Sequence, residues 1–188
     1  MGDDQTYPAT DKAVAGGSPP PLHLPDAASV TQGFLEEALV YCADKMQLVG
    51  PQATLELLRQ GDNRARFHTH HSLAQQVAKA LGDMDKNVSS VFVFDYDATP
   101  EDLAFGDSSC VSPIHLIVRA ERKTEDLYAL VAAMENALVE DYARCVGPGQ
   151  LKCLLDVQVI DAEDVEKRRG YAAVLSSLHN RPIQVWER

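Results

Sequence analysis

From Thr31 onward, apolar residues recur every three or four positions. Phe34, Leu35, Ala38, Leu39, Cys42 and Met46 form the stripe of one buried helical face. Gly50-Pro51 interrupts it, and Pro51 suits the first turn of a second helix that carries Leu55 and Leu58 and stops near Gly61. The stretch Asp62-Asn63-Arg64-Ala65-Arg66 then reads as a polar loop. A third helix is predicted from Ser72, because Ser72 and Gln75 have capping-box spacing and Leu73, Val77, Ala80 and Leu81 make its stripe. Gly82 fits the position just past its end.

Beyond Asn87 the period changes. Val91-Phe92-Val93-Phe94 is continuously apolar and rich in strand formers, as expected of a central strand covered on both faces. The polar stretch 95–112 reads as a long loop, and Ile114 to Val118 as a second strand. Thr124 is placed to cap a long helix with Glu125 and Asp126 in its first turn, Leu127, Leu130, Met134 and Leu138 on one face and Arg144 near its end. A third strand, about Lys152 to Ile160, puts Leu155, Val157 and Val159 on one face and Asp156, Gln158 and Ile160 on the other. Asp161, assisted by Asp164, caps a helix to about Leu178, and Ile183 to Trp186 closes the chain as a strand after Pro182. Helices followed by interspersed strands make this an α+β protein with about four strands.

Composition narrows the class. A length of 188 residues suits one domain plus a tail. Residues 1–28, with Gly16-Gly17-Ser18 and Pro19-Pro20-Pro21, hold too few large apolar side chains to order themselves and are expected to be a disordered tail. Lys and Arg total 17 against 28 Asp and Glu, a net charge of −11 that opposes attraction to nucleic acid or an anionic membrane. No apolar run reaches the roughly 20 residues of a membrane span, and the first residues lack a signal-peptide pattern, so a cytoplasmic protein is expected. Cys42, Cys110, Cys145 and Cys153 show no CxxC spacing and read as reduced, partly buried thiols.

Two constellations suggest chemistry. Val91 to Phe94 followed by Asp95-Tyr96-Asp97-Ala98-Thr99 resembles the nucleophile motif of haloacid dehalogenase-like phosphatases. That resemblance implies Asp95 as nucleophile, Asp97 as acid and base, and Mg²⁺ to offset their charge. Ala98 stands where that family has Gly, and too few strands follow the motif for that fold.

A broader resemblance spans Ser72 to Arg188. The order of helix, buried strand, loop, strand, long helix, strand with a mid-strand Asp, helix and terminal strand is similar to the small nucleotidyltransferase domains related to DNA polymerase beta. Leu155-Asp156-Val157-Gln158-Val159-Ile160-Asp161 matches the family's third strand, and Pro182 to Arg188 its closing strand. The resemblance implies a mixed sheet flanked by helices in residues 67–188, with residues 29–66 as a helical extension. It also puts Pro113 and His115 where two metal-binding carboxylates belong, and Phe94-Asp95-Tyr96 where the family has Phe-Gly-Ser.

A degenerate, binding or regulatory nucleotidyltransferase-like domain is therefore the leading expectation. Its partner would be a protein or a second copy of the chain, and the helices of Thr31 to Gly61 would bury their apolar faces either on their own domain or in that association. The alternatives are a transferase with a rearranged carboxylate set, Asp95, Asp97 and Asp156, and the phosphatase. If the second and third strands are neighbours, His115 faces Asp156 across the sheet, either as a structural pair or as two ligands of one divalent cation, Mg²⁺ or Zn²⁺. His68, His70 and His71 have no standard zinc spacing and read as a solvated helix entry. The basic residues Arg119, Arg122 and Lys123, and Lys167-Arg168-Arg169, read as solvated surface beside acidic neighbours.

Overall fold

A computed structural model describes residues 27–94, 113–147, 153–177 and 181–188. Four helices come first: α1 (Ala27–Thr31), α2 (Phe34–Met46), α3 (Pro51–Arg59) and α4 (Asn63–Met84). Apart from Ala27 and Ala28, which belong to α1, the expected tail lies outside the described residues. Pro51 occupies the first turn of α3, where its missing N–H costs nothing. Thr54 Oγ1 on α3 donates to Leu39 O at 3.2 Å, and Thr54 is wholly buried, so α3 is tied to α2 inside the protein. Leu35, Ala38, Leu39 and Cys42 of α2 and Leu58 of α3 belong to the same apolar core as the sheet. Of the two arrangements open to these helices, these residues pack on the chain's own core, while Val40 and Val49 stay exposed.

The start of α4 corrects the sequence reading. Asp62, in extended backbone, accepts from Ala65 N at 2.8 Å and caps the helix ten residues before Ser72. Ser72 is buried within the helix, and its hydroxyl accepts from Gln76 Nε2 at 3.3 Å, so it caps nothing. The polar run 62–66 is the cap and first turn of α4, with Ala65 turned fully inward. Gly82 also lies inside the helix.

The remaining elements are β1 (Val88–Val93), β2 (Ile114–Ala120), α5 (Glu125–Val146), β3 (Leu155–Ile160), α6 (Ala162–Lys167), a 3-10 helix (Gly170–Ser176) and β4 (Ile183–Glu187). The strands form one mixed sheet in the order β3-β2-β1-β4. Strand β1 runs antiparallel to both β2 and β4, and β3 runs parallel to β2 after the α5 crossover. Thr124 Oγ1 accepts from Leu127 N at 3.2 Å to start α5, as its sequence predicts. Asp161 and Asp164 form the capping box of α6. The single helix expected to reach Leu178 is broken instead: Arg168 takes a left-handed backbone (φ 50), as does Gly170 (φ 50), and the chain restarts as the 3-10 helix.

The two faces of the sheet differ. Val91, Val93, Leu116, Val118, Leu155 and Val159 face α2, α4 and α5 in the main core. On the other face Ile117 and Ile160 pack with Ala172, joined by the half-buried Phe92, Phe94, Val165 and Leu175. Among the described residues that smaller core is covered by α6 and the 3-10 helix. Among the described residues no helix is long and apolar enough to cross a membrane.

Candidate functional site

The polar end of the open sheet face is organised around Asp156. Two constraints fix its position. Glu135, on α5, accepts from the backbone N–H groups of Leu154 and Leu155, each at 2.7 Å, and so pins the first residues of β3. Burial pushes the Glu135 carboxyl up, and those two amide hydrogen bonds oppose the shift without cancelling it. The parallel register then sets Asp156 beside His115 of β2.

His115 Nδ1 and Asp156 Oδ2 lie 2.9 Å apart, with about a third of each side chain exposed. An ionised carboxylate only accepts, so the imidazole donates to it from Nδ1. Gln158, two residues along the same strand face, donates from Nε2 to Asp156 Oδ1 at 2.9 Å. Both oxygens of Asp156 are therefore engaged, one by an imidazole and one by an amide. Among the described residues no group of three His, Cys, Asp or Glu side chains converges to hold a metal ion. A cation at this pair would have to displace the 2.9 Å contact or add to a carboxylate already bonded on both sides. Asp95 and Asp97, the other candidate carboxylates, lie outside the described residues, as does the loop 95–112.

The histidines of α4 do not gather into a site. His68, His70 and His71 lie within the helix and not at a solvated entry, and each is partly buried. His71 faces Tyr41 of α2 with ring centroids 6.0 Å apart, His70 faces Tyr142 of α5 at 6.4 Å, and His68 meets Phe67 edge-on at 5.3 Å. Desolvation lowers the pKa of all three. For His70 the fall reaches about 3, with the Arg66 charge adding to it. Its Nε2 is buried with no protein hydrogen-bond partner. Cys42, Cys145 and Cys153 are free thiols, and Cys42 is fully buried. Cys110 is outside the described residues.

Gln158 was legible in the sequence as a polar residue two positions from Asp156 in a strand. Glu135 was not, because nothing in an amphipathic helix pattern tells which exposed-looking carboxylate will meet a strand end. Comparison of the chain with protein-family models, with curated proteins and with solved structures finds no match.

Proposed function

We propose that this chain is a nucleotidyltransferase-like domain that has given up metal-dependent transfer and works by binding, with a protein or a second copy of itself as partner. The observation that carries this reading is the commitment of Asp156 to His115 and Gln158. Two-metal phosphoryl chemistry needs paired carboxylates able to hold two cations about 3.5–4 Å apart against a triphosphate. In the alignment that the resemblance implies, Pro113 has no side-chain ligand and His115 offers an imidazole in place of a carboxylate. The one carboxylate left in place already accepts one hydrogen bond on each oxygen, from His115 and from Gln158. A mixed sheet flanked by helices, with β2 and β3 as neighbours, is consistent with what the resemblance implies. The net charge of −11 favours a protein over nucleic acid as partner.

The test is nucleotidyl transfer. The full chain is incubated with Mg²⁺ or Mn²⁺ and nucleoside triphosphates labelled at the α-phosphate, with itself and cell proteins as acceptors. The expected result is no label transferred. Label that appears with wild type and disappears in Asp156→Asn would overturn the proposal and establish a working transferase.

A further inference from the structure

The basic residues around α6 divide into two sets. Asp164 takes Lys123 as its ion-pair partner, and Glu163 takes both Lys167, at 2.5 Å, and Arg169, at 3.4 Å. Each of these three cations thus has a carboxylate partner, Glu163 being shared by two of them. Arg119, Arg168 and Arg181 make no ion pair among the described residues, and all three line one cleft of about 530 Å³. It lies between the 3-10 helix and the open face of β1, β2 and β4, with Phe92, Leu175 and Pro182 among its apolar walls. Its volume falls in the range of small-molecule pockets, which are mostly apolar with a few placed polar groups.

We propose that this cleft binds a small organic anion, its phosphate or carboxylate held by Arg119, Arg168 and Arg181 and its apolar body against Phe92 and Leu175. Three arginines from three different elements line it: the end of β2, the stop of α6 and the lead into β4. Each brings a planar fork of donors suited to carboxylate or phosphate oxygens. Among the described residues no carboxylate pairs with these three like charges, and an anion bound between them would offset their repulsion. Arg168 adds a second cost. It stands in left-handed backbone at φ 50, a helix-stop conformation that favours Gly or Asn and that L side chains adopt with strain. Glycine there would suit the backbone better, so the arginine is the residue whose side chain has to be explained. The net charge of −11 repels anions at long range, and that field is screened within about 8 Å at physiological salt. Attraction is left to the local triad. The cleft lies diagonally across the sheet face from His115 and Asp156, and this inference does not rest on the nucleotidyltransferase-like reading.

Calorimetric titration of the full chain at 0.15 M salt, with phenyl phosphate, benzoate and inorganic pyrophosphate as probes, tests it. Phenyl phosphate, with about 11 non-hydrogen atoms, is expected to bind with a Kd below about 1 mM. Phenyl phosphate tighter than benzoate identifies a phosphate ester as the natural class, and the reverse a carboxylate; either result supports the site. Arg119→Gln, Arg168→Gln and Arg181→Gln are each expected to weaken binding about 3- to 10-fold, and the triple variant to abolish it. Lys79→Ala, on α4 behind the sheet, should leave it unchanged. Arg168→Gly separates ligand binding from folding: binding weakens while Tm stays level or rises. Absence of binding by either aromatic probe, binding undiminished in the triple variant, or pyrophosphate binding as tightly as the aromatic probes would overturn the proposal.

Discussion

The indole of Trp186, on the closing strand, lies directly on the backbone of Gly82 inside α4. A Cβ built on Gly82 would sit 2.1 Å from Trp186 Cζ2 and 2.2 Å from Cη2, far inside van der Waals contact. The same corner is bolted by Arg188, whose Nη2 donates to Gly82 O at 2.5 Å and to Asp85 O at 3.2 Å, and whose guanidinium lies 5.8 Å from the Trp186 ring centre. Gly82 therefore stays in a helix interior for a packing reason, since it is replaced by the ring and not by a turn.

This contact makes the sign of one substitution depend on another. Gly82→Ala is expected to destabilise the protein by about 1–3 kcal/mol, because the ring of an ordered aromatic residue must shift. In a Trp186→Ala background the clash is gone, and the same Gly82→Ala change should stabilise by about 0.5–1 kcal/mol through helix propensity. Urea denaturation of the four proteins of the double-mutant cycle measures both signs.

His70 predicts how stability depends on pH. Its folded pKa of about 3 lies below the ordinary 6.5, so the unfolded chain takes up a proton that the native imidazole refuses. The stability associated with neutral His70 is present above pH 6.5 and lost as pH falls toward 3, at up to about 1.4 kcal/mol per pH unit. His70→Phe, facing Tyr142, removes both the titration and the unpartnered Nε2. Relative to wild type, the variant should gain roughly 2 kcal/mol between pH 7.5 and pH 5. Denaturant midpoints across that range check it, and parallel curves for the two proteins would reject it.

Glu135 holds the strand that carries Asp156. Replacing it by Gln keeps one acceptor and sets an NH₂ group against a backbone N–H of Leu154 or Leu155. A loss of about 1–3 kcal/mol is expected, the cost of leaving a partly buried donor unsatisfied. Amide hydrogen exchange should localise the change, with Leu154 and Leu155 exchanging faster and the amides of α2 unaffected.

Much of this architecture is legible from short-range chemistry. Pro51 at the start of α3, Thr124 capping α5 and the Asp161–Asp164 capping box of α6 are local signals, read correctly because each depends only on a few neighbouring residues. The facing of His115 and Asp156 also follows from strand alternation once β2 and β3 are neighbours. Non-local causes defeat the same reading. Ser72 and Gln75 have the spacing of a cap, yet Asp62 had already started the helix and packing buried Ser72. Gly82 reads as a helix stop because the tryptophan that demands it is more than a hundred residues away. The arginine cleft is hidden for a related reason: Lys123, Lys167, Arg168 and Arg169 look equivalent in sequence. Only the three-dimensional assignment of Glu163 and Asp164 leaves Arg168 over with Arg119 and Arg181.

Asp156 accepts from His115 and Gln158, and the proposal that it holds no catalytic cation is the one most open to direct measurement. Paramagnetic Mn²⁺ reports on this directly, since it broadens nuclear resonances only near the place where it binds. With the full chain labelled in ¹⁵N and ¹³C, Mn²⁺ is titrated while the His115 ring and the backbone amides of Leu155, Asp156 and Gln158 are observed. No selective broadening at these groups is expected. Selective loss of the His115 and Asp156 signals at Mn²⁺ well below the protein concentration, restored in Asp156→Asn, would contradict it.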